Sequence, residues 1–200
     1  ISWIEKENVG EKSRNYRLKD WLISRQRYWG TPIPIVYDPD GMAHPIPEKH
    51  LPWLLPTDVN YKPKGTSPLG SSNELMERTE RIFGKGWRPE IDTMDTFMCS
   101  SWYFLRYLNA HLENEAFDKS RLDWLPVDLY VGGAEHATMH LLYSRFVIKA
   151  LRDAGCIDFN EPFLKLVHQG TITKDGSKMS KSRGNTVSPD DFIDQYGSDT

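Results

Sequence analysis

The sequence predicts an α/β fold, part of a doubly wound, Rossmann-like parallel sheet with a small loop-rich insert. An apolar run at 125–131 is followed at once by two glycines, as expected for a buried strand and a tight turn. Residues 135–154 carry apolar side chains at helical spacing and are closed by a glycine. A second apolar run at 164–168 leads into Gln-Gly. This order predicts a right-handed parallel strand–helix–strand unit with ligand sites at the carboxyl ends of the strands.

The composition is that of an ordinary globular chain without an overall basic surface. Its 200 residues are 38% hydrophobic and carry a net charge of −3, so nucleic acid would have to bind local patches. No apolar run approaches the length of a bilayer span, and we expect no membrane partner. Cys99 and Cys156 lie far apart, which argues against a disulfide framework and favours a reducing, cytoplasmic setting. The chain starts at Ile and stops without a closing element, so we expect an excised piece of a longer polypeptide.

The N-terminal part predicts a linker over residues 1–15 and then a helix. Apolar residues at helical spacing indicate a helix over 18–30 that ends at a glycine, and the prolines that follow allow only a short strand at 33–37. Arg25 and Arg27 fit two interpretations equally well on composition. They are either a solvated helix end or a contact to phosphates or a base near an active site.

Residues 38–90 predict a small inserted subdomain, loop-rich with short strands. The segment holds most of the chain's 13 prolines and shows little sustained periodicity. His44 and His50 are too few and too separated for a structural zinc site, so no metal is predicted there.

From residue 91 the pattern becomes that of a compact α/β domain. Ser100 and Ser101 precede an apolar segment at helical spacing, and their hydroxyls predict the N-terminal cap of that helix.

The turn after the first predicted strand carries the first candidate site. Gly132 and Gly133 allow a ligand close to the backbone, and Glu135 can accept hydrogen bonds from two vicinal hydroxyls of a ribose. His136 and His140 lie four residues apart, on one helical face. Three interpretations stay open: a zinc site without an evident third ligand, a pair of core histidines, or a nucleotide and amino-acid pocket.

A basic segment near the C-terminus carries the second candidate site. Residues 165–185 hold five Lys or Arg and one acid, with flanking glycines and few apolar side chains, which predicts a mobile cationic loop. Lys178 and Lys181 would neutralise a nucleotide triphosphate as pyrophosphate leaves. The alternative is a solvated basic turn.

The amino-acid sequence of this segment resembles that of a known family. Lys178-Met179-Ser180-Lys181-Ser182 is similar to the signature of class I aminoacyl-tRNA synthetases, and its flanks resemble the leucine, isoleucine and valine branch. Gly-Gly-x-Glu-His at 132–136 resembles leucyl-tRNA synthetases, as do the runs 92–103 and 123–130. Trp-x-Ile-Ser-Arg-Gln at 21–26 resembles the segment that re-enters the catalytic domain after the editing insertion.

The resemblance implies a ligase that uses ATP with its Mg²⁺, leucine and tRNA(Leu), completed by the remainder of the same polypeptide. Lys178 and Lys181 would be catalytic, and Arg25 would face the terminal adenosine of the tRNA. The residues implied for ATP are Gly133, Glu135, His136, Gln169, Ile172, Lys178, Met179, Ser180 and Lys181. Those implied for leucine are Ser100, Tyr103, Tyr130, His136 and His140.

The chain also departs from this family pattern. Relatives often carry two Cys-x-x-Cys zinc pairs in the 38–90 insert and a leucine-specific insertion before the signature loop, and this sequence has neither. Residues 186–200 would begin the helical region that contacts the tRNA stem. The fragment alone is expected to be inactive. The other candidate functions are a non-catalytic nucleotide- or RNA-binding module, an isoleucine or valine enzyme, and a small-molecule nucleotidyltransferase.

Overall fold

The computed structural model describes residues 2–15, 21–62 and 65–199, and the chain divides into two compact units, residues 1–95 and 96–200. In these described ranges no helix is long and apolar enough to span a membrane. The α-helices are α1 (Ser2–Lys6), α2 (Asn73–Phe83), α3 (Thr96–Ser100), α4 (Tyr103–Tyr107), α5 (His140–Asp153) and α6 (Pro189–Tyr196). The 3₁₀ helices are Glu48–His50, Pro68–Ser71, Lys119–Trp124, Ala134–Thr138 and Lys181–Arg183. The strands are β1 (Ser24–Arg25), β2 (Ile35–Tyr37), β3 (Ala43–Pro45), β4 (Arg88–Pro89), β5 (Thr93–Met94), β6 (Tyr130–Val131), β7 (Leu166–Val167), β8 (Thr173–Lys174) and β9 (Ser177–Lys178).

The helix predicted over residues 18–30 is wrong where the structure describes it. Residues 16–20 lie outside the described part, and within 21–30 the regular element is β1, which pairs antiparallel with β5. Gly30 lies so close to β5 that a Cβ there would stand 2.2 Å from the Met94 carbonyl oxygen. Strand pairing and this close approach override the apolar spacing. The predicted linker also differs, because it contains α1.

The first unit is built on a three-stranded antiparallel sheet in the order β3-β2-β4. The predicted insert does contain short strands, but α2 was not anticipated. The Ser72 hydroxyl caps α2 by accepting the Leu75 N–H at 3.0 Å. The core of this unit consists of Val36, Ile46, Trp53, Leu69 and Leu75.

The turn between β2 and β3 is closed by one carboxylate. Asp38 accepts the backbone N–H groups of Asp40 and Met42 at 3.0 and 2.9 Å, and its other oxygen lies 2.8 Å from Nε2 of His44. The His44 hydrogen bond, followed by the Met42 N–H, lowers the pKa of Asp38. This carboxylate therefore holds the turn.

The second unit has its core where α4 and α5 meet the loops around them. Its buried members are Phe104, Leu105, Phe117, Ile148 and Ile157. Ser100 and Ser101 do not cap α4 as predicted. Their hydroxyls donate instead to the carbonyls of Phe97 and Met98, at 3.5 and 2.7 Å, so they close α3.

The predicted parallel unit is present: β6 pairs parallel with β7, and α5 lies between them in sequence. Both strands are shorter than predicted. They are also not buried, since Val131 is 58% exposed and both residues of β7 are exposed. The long helix predicted over 135–154 is interrupted at Met139, whose ψ of −110° separates the 3₁₀ helix from α5.

Glu161 anchors α5 to the chain that leads into β7. Its oxygens accept two hydrogen bonds from Arg145, at 2.7 and 2.8 Å, and one from Lys149 at 3.1 Å. The Arg145 hydrogen bonds are the main cause that lowers the pKa of Glu161 to about 2.

We expect Glu161→Gln to lower the free energy of unfolding at pH 7 by about 1 kcal/mol or less, because these groups are half-exposed. A depressed carboxyl pKa stabilises the fold above the ordinary value near 4.5, and this stabilisation is lost as the pH falls towards 2. The difference between wild type and variant in urea unfolding should therefore shrink from pH 5 to pH 3. Glu113→Gln, which changes an exposed carboxylate, is the control. An equal difference at both pH values would contradict the assignment.

Candidate active site

A cavity of about 450 Å³ opens in the second unit at the carboxyl end of β6. Seven of the residues predicted for a site line it: Ser100, Tyr103, Tyr130, Gly133, His136, His140 and Gln169. Gly132, which the sequence placed at the ligand-binding turn, also lines it, whereas sequence reasoning assigned no role to the other three: Phe97, Val131 and Leu141. Phe97 could have been found, because it lies three residues before Ser100 and six before Tyr103. Val131 and Leu141 could not have been found, because apolar residues in a predicted strand and helix are expected to belong to the hydrophobic core.

One wall of the cavity is a chain of three hydrogen-bonded side chains. The hydroxyl of Tyr130 lies 2.9 Å from the Tyr103 hydroxyl and 2.7 Å from Nε2 of His140. Burial, followed by the hydrogen bond to Tyr103, raises the pKa of Tyr130. Burial, followed by the charge of His136, lowers the pKa of His140. Tyr130 and His140 are therefore uncharged at neutral pH.

His136 contributes a hydrogen-bonding atom that the fold does not use. Its ring lies 6.3 Å from the rings of Phe97 and His140, both in T-shaped contact. Within the described residues Nδ1 of His136 is buried and has no hydrogen-bond partner. A buried polar atom without a partner is costly, so this nitrogen is available to a ligand.

The three interpretations of the histidine pair can now be compared. His140 uses Nε2 for Tyr130, and no group of three His, Cys, Asp or Glu side chains in the described part of the chain could hold a metal. Neither histidine is fully buried, and both line the cavity. The geometry favours a ligand pocket over a metal site or a pair of core histidines.

Glu135 lies in the 3₁₀ helix that starts after Gly133. A Cβ on Gly133 would stand 2.4 Å from the Glu135 carboxylate, so a larger residue there would displace the flexible end of that side chain. A hydrogen bond from its own backbone N–H lowers the pKa of Glu135, and the charge of Lys178 lowers it further. The carboxylate is thus ionised at neutral pH and lies within the electrostatic reach of Lys178.

The basic segment is more ordered than the predicted loop. β8 and β9 form an antiparallel hairpin whose turn, Asp175-Gly176, has φ values of 53° and 72°. Two left-handed central residues are typical of a type I′ hairpin. Lys178 pairs with Thr173 and Lys174 pairs with Ser177, so the two lysines lie on opposite faces of the hairpin.

Asn185 ties the end of this hairpin to the 3₁₀ helix that follows. Its Oδ1 accepts the Ser180 N–H at 2.8 Å, and its Nδ2 donates to the Lys178 carbonyl at 3.3 Å. The hydroxyls of Ser180 and Ser182 lie 2.7 Å apart. Lys178 and Lys181 are exposed, whereas Met179 and Ser180 are half-buried.

Several predicted site residues do not line this cavity. Ile172 is 77% exposed, and the four signature residues 178–181 lie outside the lining, although the charge of Lys178 acts on Glu135. Arg25 belongs to the other unit, where its Nε lies 2.8 Å from the Asp95 carboxylate. It is not at a helix end, and its contact with tRNA stays a prediction.

Comparisons with known proteins agree with this geometry. The family model described as tRNA synthetases class I (I, L, M and V) matches residues 5–200. The chain is 56% identical to a leucine--tRNA ligase of Thermotoga petrophila over all of its length and 58% identical to that of Clostridium kluyveri over 98% of it. It spans about a quarter of the length of these relatives, 24% in each case.

A solved structure is similar over the whole chain. It is the ternary complex of Agrobacterium radiobacter K84 agnB2 LeuRS-tRNA-LeuAMS, which matches 100% of this chain with a TM-score of 0.85 and 42% identity, and of which the chain covers 26%. This match confirms the predicted α/β class. The signature hairpin, the Gly-Gly turn and the near-complete family match lead to one conclusion: the chain belongs to the class I tRNA synthetases.

Proposed function

We propose that this chain forms part of the aminoacylation site of a leucine--tRNA ligase. The whole enzyme would activate leucine with ATP to leucyl-adenylate and then transfer leucine to tRNA(Leu). The observation that carries the proposal is the cavity at the end of β6, which joins a neutral wall to a charged turn. The leucine--tRNA ligase relatives and the LeuRS complex support the choice of amino acid.

Leucine fits the neutral part of the cavity. Phe97 and Leu141 supply apolar lining, and burial keeps Tyr130 and His140 uncharged at neutral pH. An uncharged wall whose hydrogen bonds are mutually satisfied favours an apolar side chain over a polar one, because a polar group would lose its water without gaining a partner.

ATP fits the turn at the end of β6. Gly132 leaves room for a ligand against the backbone, and the ionised Glu135 beside Gly133 can accept hydrogen bonds from two ribose hydroxyls. The free Nδ1 of His136 offers one more contact, and Gln169 would frame the base. ATP would bring its own Mg²⁺ as part of the substrate, and we expect no zinc.

The reaction needs no nucleophile from the protein. The leucine carboxylate attacks the α-phosphorus of ATP, a new P–O bond forms, and the bond to pyrophosphate breaks. The protein aligns the reactants and stabilises the charge that moves onto pyrophosphate. Lys178 and Lys181 are exposed cations on the signature segment and would supply that stabilisation.

The transfer step would involve Arg25. Its side chain is held by Asp95 and remains 30% exposed, so part of the guanidinium can meet the terminal adenosine of the tRNA. We place the enzyme in the cytoplasm, and we assign residues 38–90 to the inserted subdomain and residues 186–200 to the start of the stem-contact helical region.

We expect Lys178→Ala and Lys181→Ala in the full-length enzyme to lower leucine-dependent exchange of pyrophosphate into ATP by about two orders of magnitude. The Michaelis constant for leucine should stay nearly unchanged, because these lysines act on the phosphates.

Lys174→Ala is the matched control, since it removes a lysine from the opposite face of the same hairpin. It should retain most of the activity. Normal exchange in both the Lys178 and Lys181 variants would refute their catalytic assignment. Strong exchange with isoleucine or valine in place of leucine would refute the choice of amino acid, and an absence of exchange with any amino acid would favour a non-catalytic binder.

We expect Tyr130→Phe to raise the Michaelis constant for leucine by about tenfold while changing that for ATP little. The substitution leaves Tyr103 and His140 without their shared partner and costs on the order of 1–3 kcal/mol. Steady-state exchange kinetics at varied leucine and varied ATP separate the two constants. An ATP effect as large as the leucine effect would contradict the assignment of Tyr130 to the amino-acid side of the cavity.

A further inference from the structure

Phe163 lies next to the proposed leucine pocket without lining it. Its ring stacks on the ring of Tyr130 with centroids 3.8 Å apart and an interplanar angle of 10°. The same ring meets Phe104 at 5.3 Å, and Phe104 is 5% exposed in the core of the unit. Phe163 therefore connects the core to Tyr130 through two aromatic contacts.

The backbone fixes this stack as well. The N–H of Val127 donates to the Pro162 carbonyl at 2.9 Å, and the N–H of Leu164 donates to the Val127 carbonyl at 2.8 Å. These bonds place Phe163 opposite Val127 in a parallel bridge. The ring of Phe163 consequently has little freedom to move away from Tyr130.

Tyr130 connects the packing around Phe163 to the lining of the pocket. Its hydroxyl is shared by the Tyr103 hydroxyl at 2.9 Å and Nε2 of His140 at 2.7 Å, so a tilt of the Tyr130 ring disturbs both hydrogen bonds together.

We infer that Phe163 is a positioning residue for amino-acid selection: it holds the Tyr130 ring, and through the Tyr130 hydroxyl it sets the places of Tyr103 and His140 in the wall of the pocket. This inference rests on the proposed function. Phe163 touches no reacting atom. It acts mainly through the stacked ring of Tyr130, and its ring also lies 6.4 Å from the ring of His140.

The test uses Phe163→Leu in the full-length enzyme, with leucine-dependent exchange of pyrophosphate into ATP as the assay. Losing an aromatic stack of this kind should raise the Michaelis constant for leucine about tenfold. It should also lower the ratio of kcat/KM for leucine to kcat/KM for isoleucine or valine. The Michaelis constant for ATP should change by less than about twofold, because the substitution affects the amino-acid side of the site. Phe163→Tyr keeps the stacked ring and should restore leucine binding.

Phe159→Leu is the matched control for packing. Phe159 is a half-buried ring against the same core cluster, so its loss tests general destabilisation without touching Tyr130. An equal rise in the leucine constant in the Phe159 and Phe163 variants would overturn the inference, as would unchanged leucine selectivity in Phe163→Leu.

A double-mutant cycle separates positioning from packing. In a Tyr130→Phe background, Phe163→Leu should raise the leucine constant by much less than tenfold, because the hydroxyl it positions is gone. Full additivity of the two effects would overturn the inference. If the wild-type enzyme shows no leucine-dependent exchange, the proposed function itself is refuted. The variants are compared with the wild type, so their results test only the role of Phe163.

Discussion

The parallel pairing of β6 with β7 is the constraint on which the candidate site depends. Tyr130 donates its N–H to the Lys165 carbonyl at 2.8 Å, and Gly132 donates to Val167 at 3.1 Å. The register continues past the strands, where Nδ1 of His168 lies 2.9 Å from the Gly132 carbonyl oxygen. A slip of one residue would turn Tyr130 to the other face of the pair and separate it from its partners. The short ladder thus places the aromatic wall and the glycine turn beside each other.

The site combines two electrostatic environments within a few residues. On the side of Tyr130 and His140, burial keeps both groups neutral by moving their pKa values in opposite directions. On the side of Glu135, a backbone hydrogen bond and the charge of Lys178 keep a carboxylate ionised. An apolar substrate side chain suits the first environment and a ribose with phosphates suits the second. Under the proposed function, leucine would occupy the first environment and ATP the second.

The sequence anticipated the features that depend on local chemistry. The glycine turn and the closing of α5 near Gly155 follow from residue types at fixed spacing, whereas most of the cavity lining was predicted from the family resemblance. It failed where tertiary contacts decide. Residues 21–30 have helical spacing, yet pairing of β1 with β5 and the Arg25–Asp95 ion pair hold them extended. The exposure of Val131 could not be predicted from the sequence for a related reason. An apolar run does not show how much of its surface other segments of the chain cover.

The two parts of the site are also held in place by different forces. The Tyr130 wall is fixed by stacked rings that continue into the core, so displacing it would disrupt buried packing. The signature segment has no buried residue between 173 and 185, and its order comes from the hairpin and from Asn185. Each such hydrogen bond contributes only about 1 kcal/mol in water. The cationic segment can therefore rearrange without unfolding the pocket. That difference would suit the proposed reaction, in which leucine must stay bound by the firmly packed wall while pyrophosphate leaves past the more loosely held lysines.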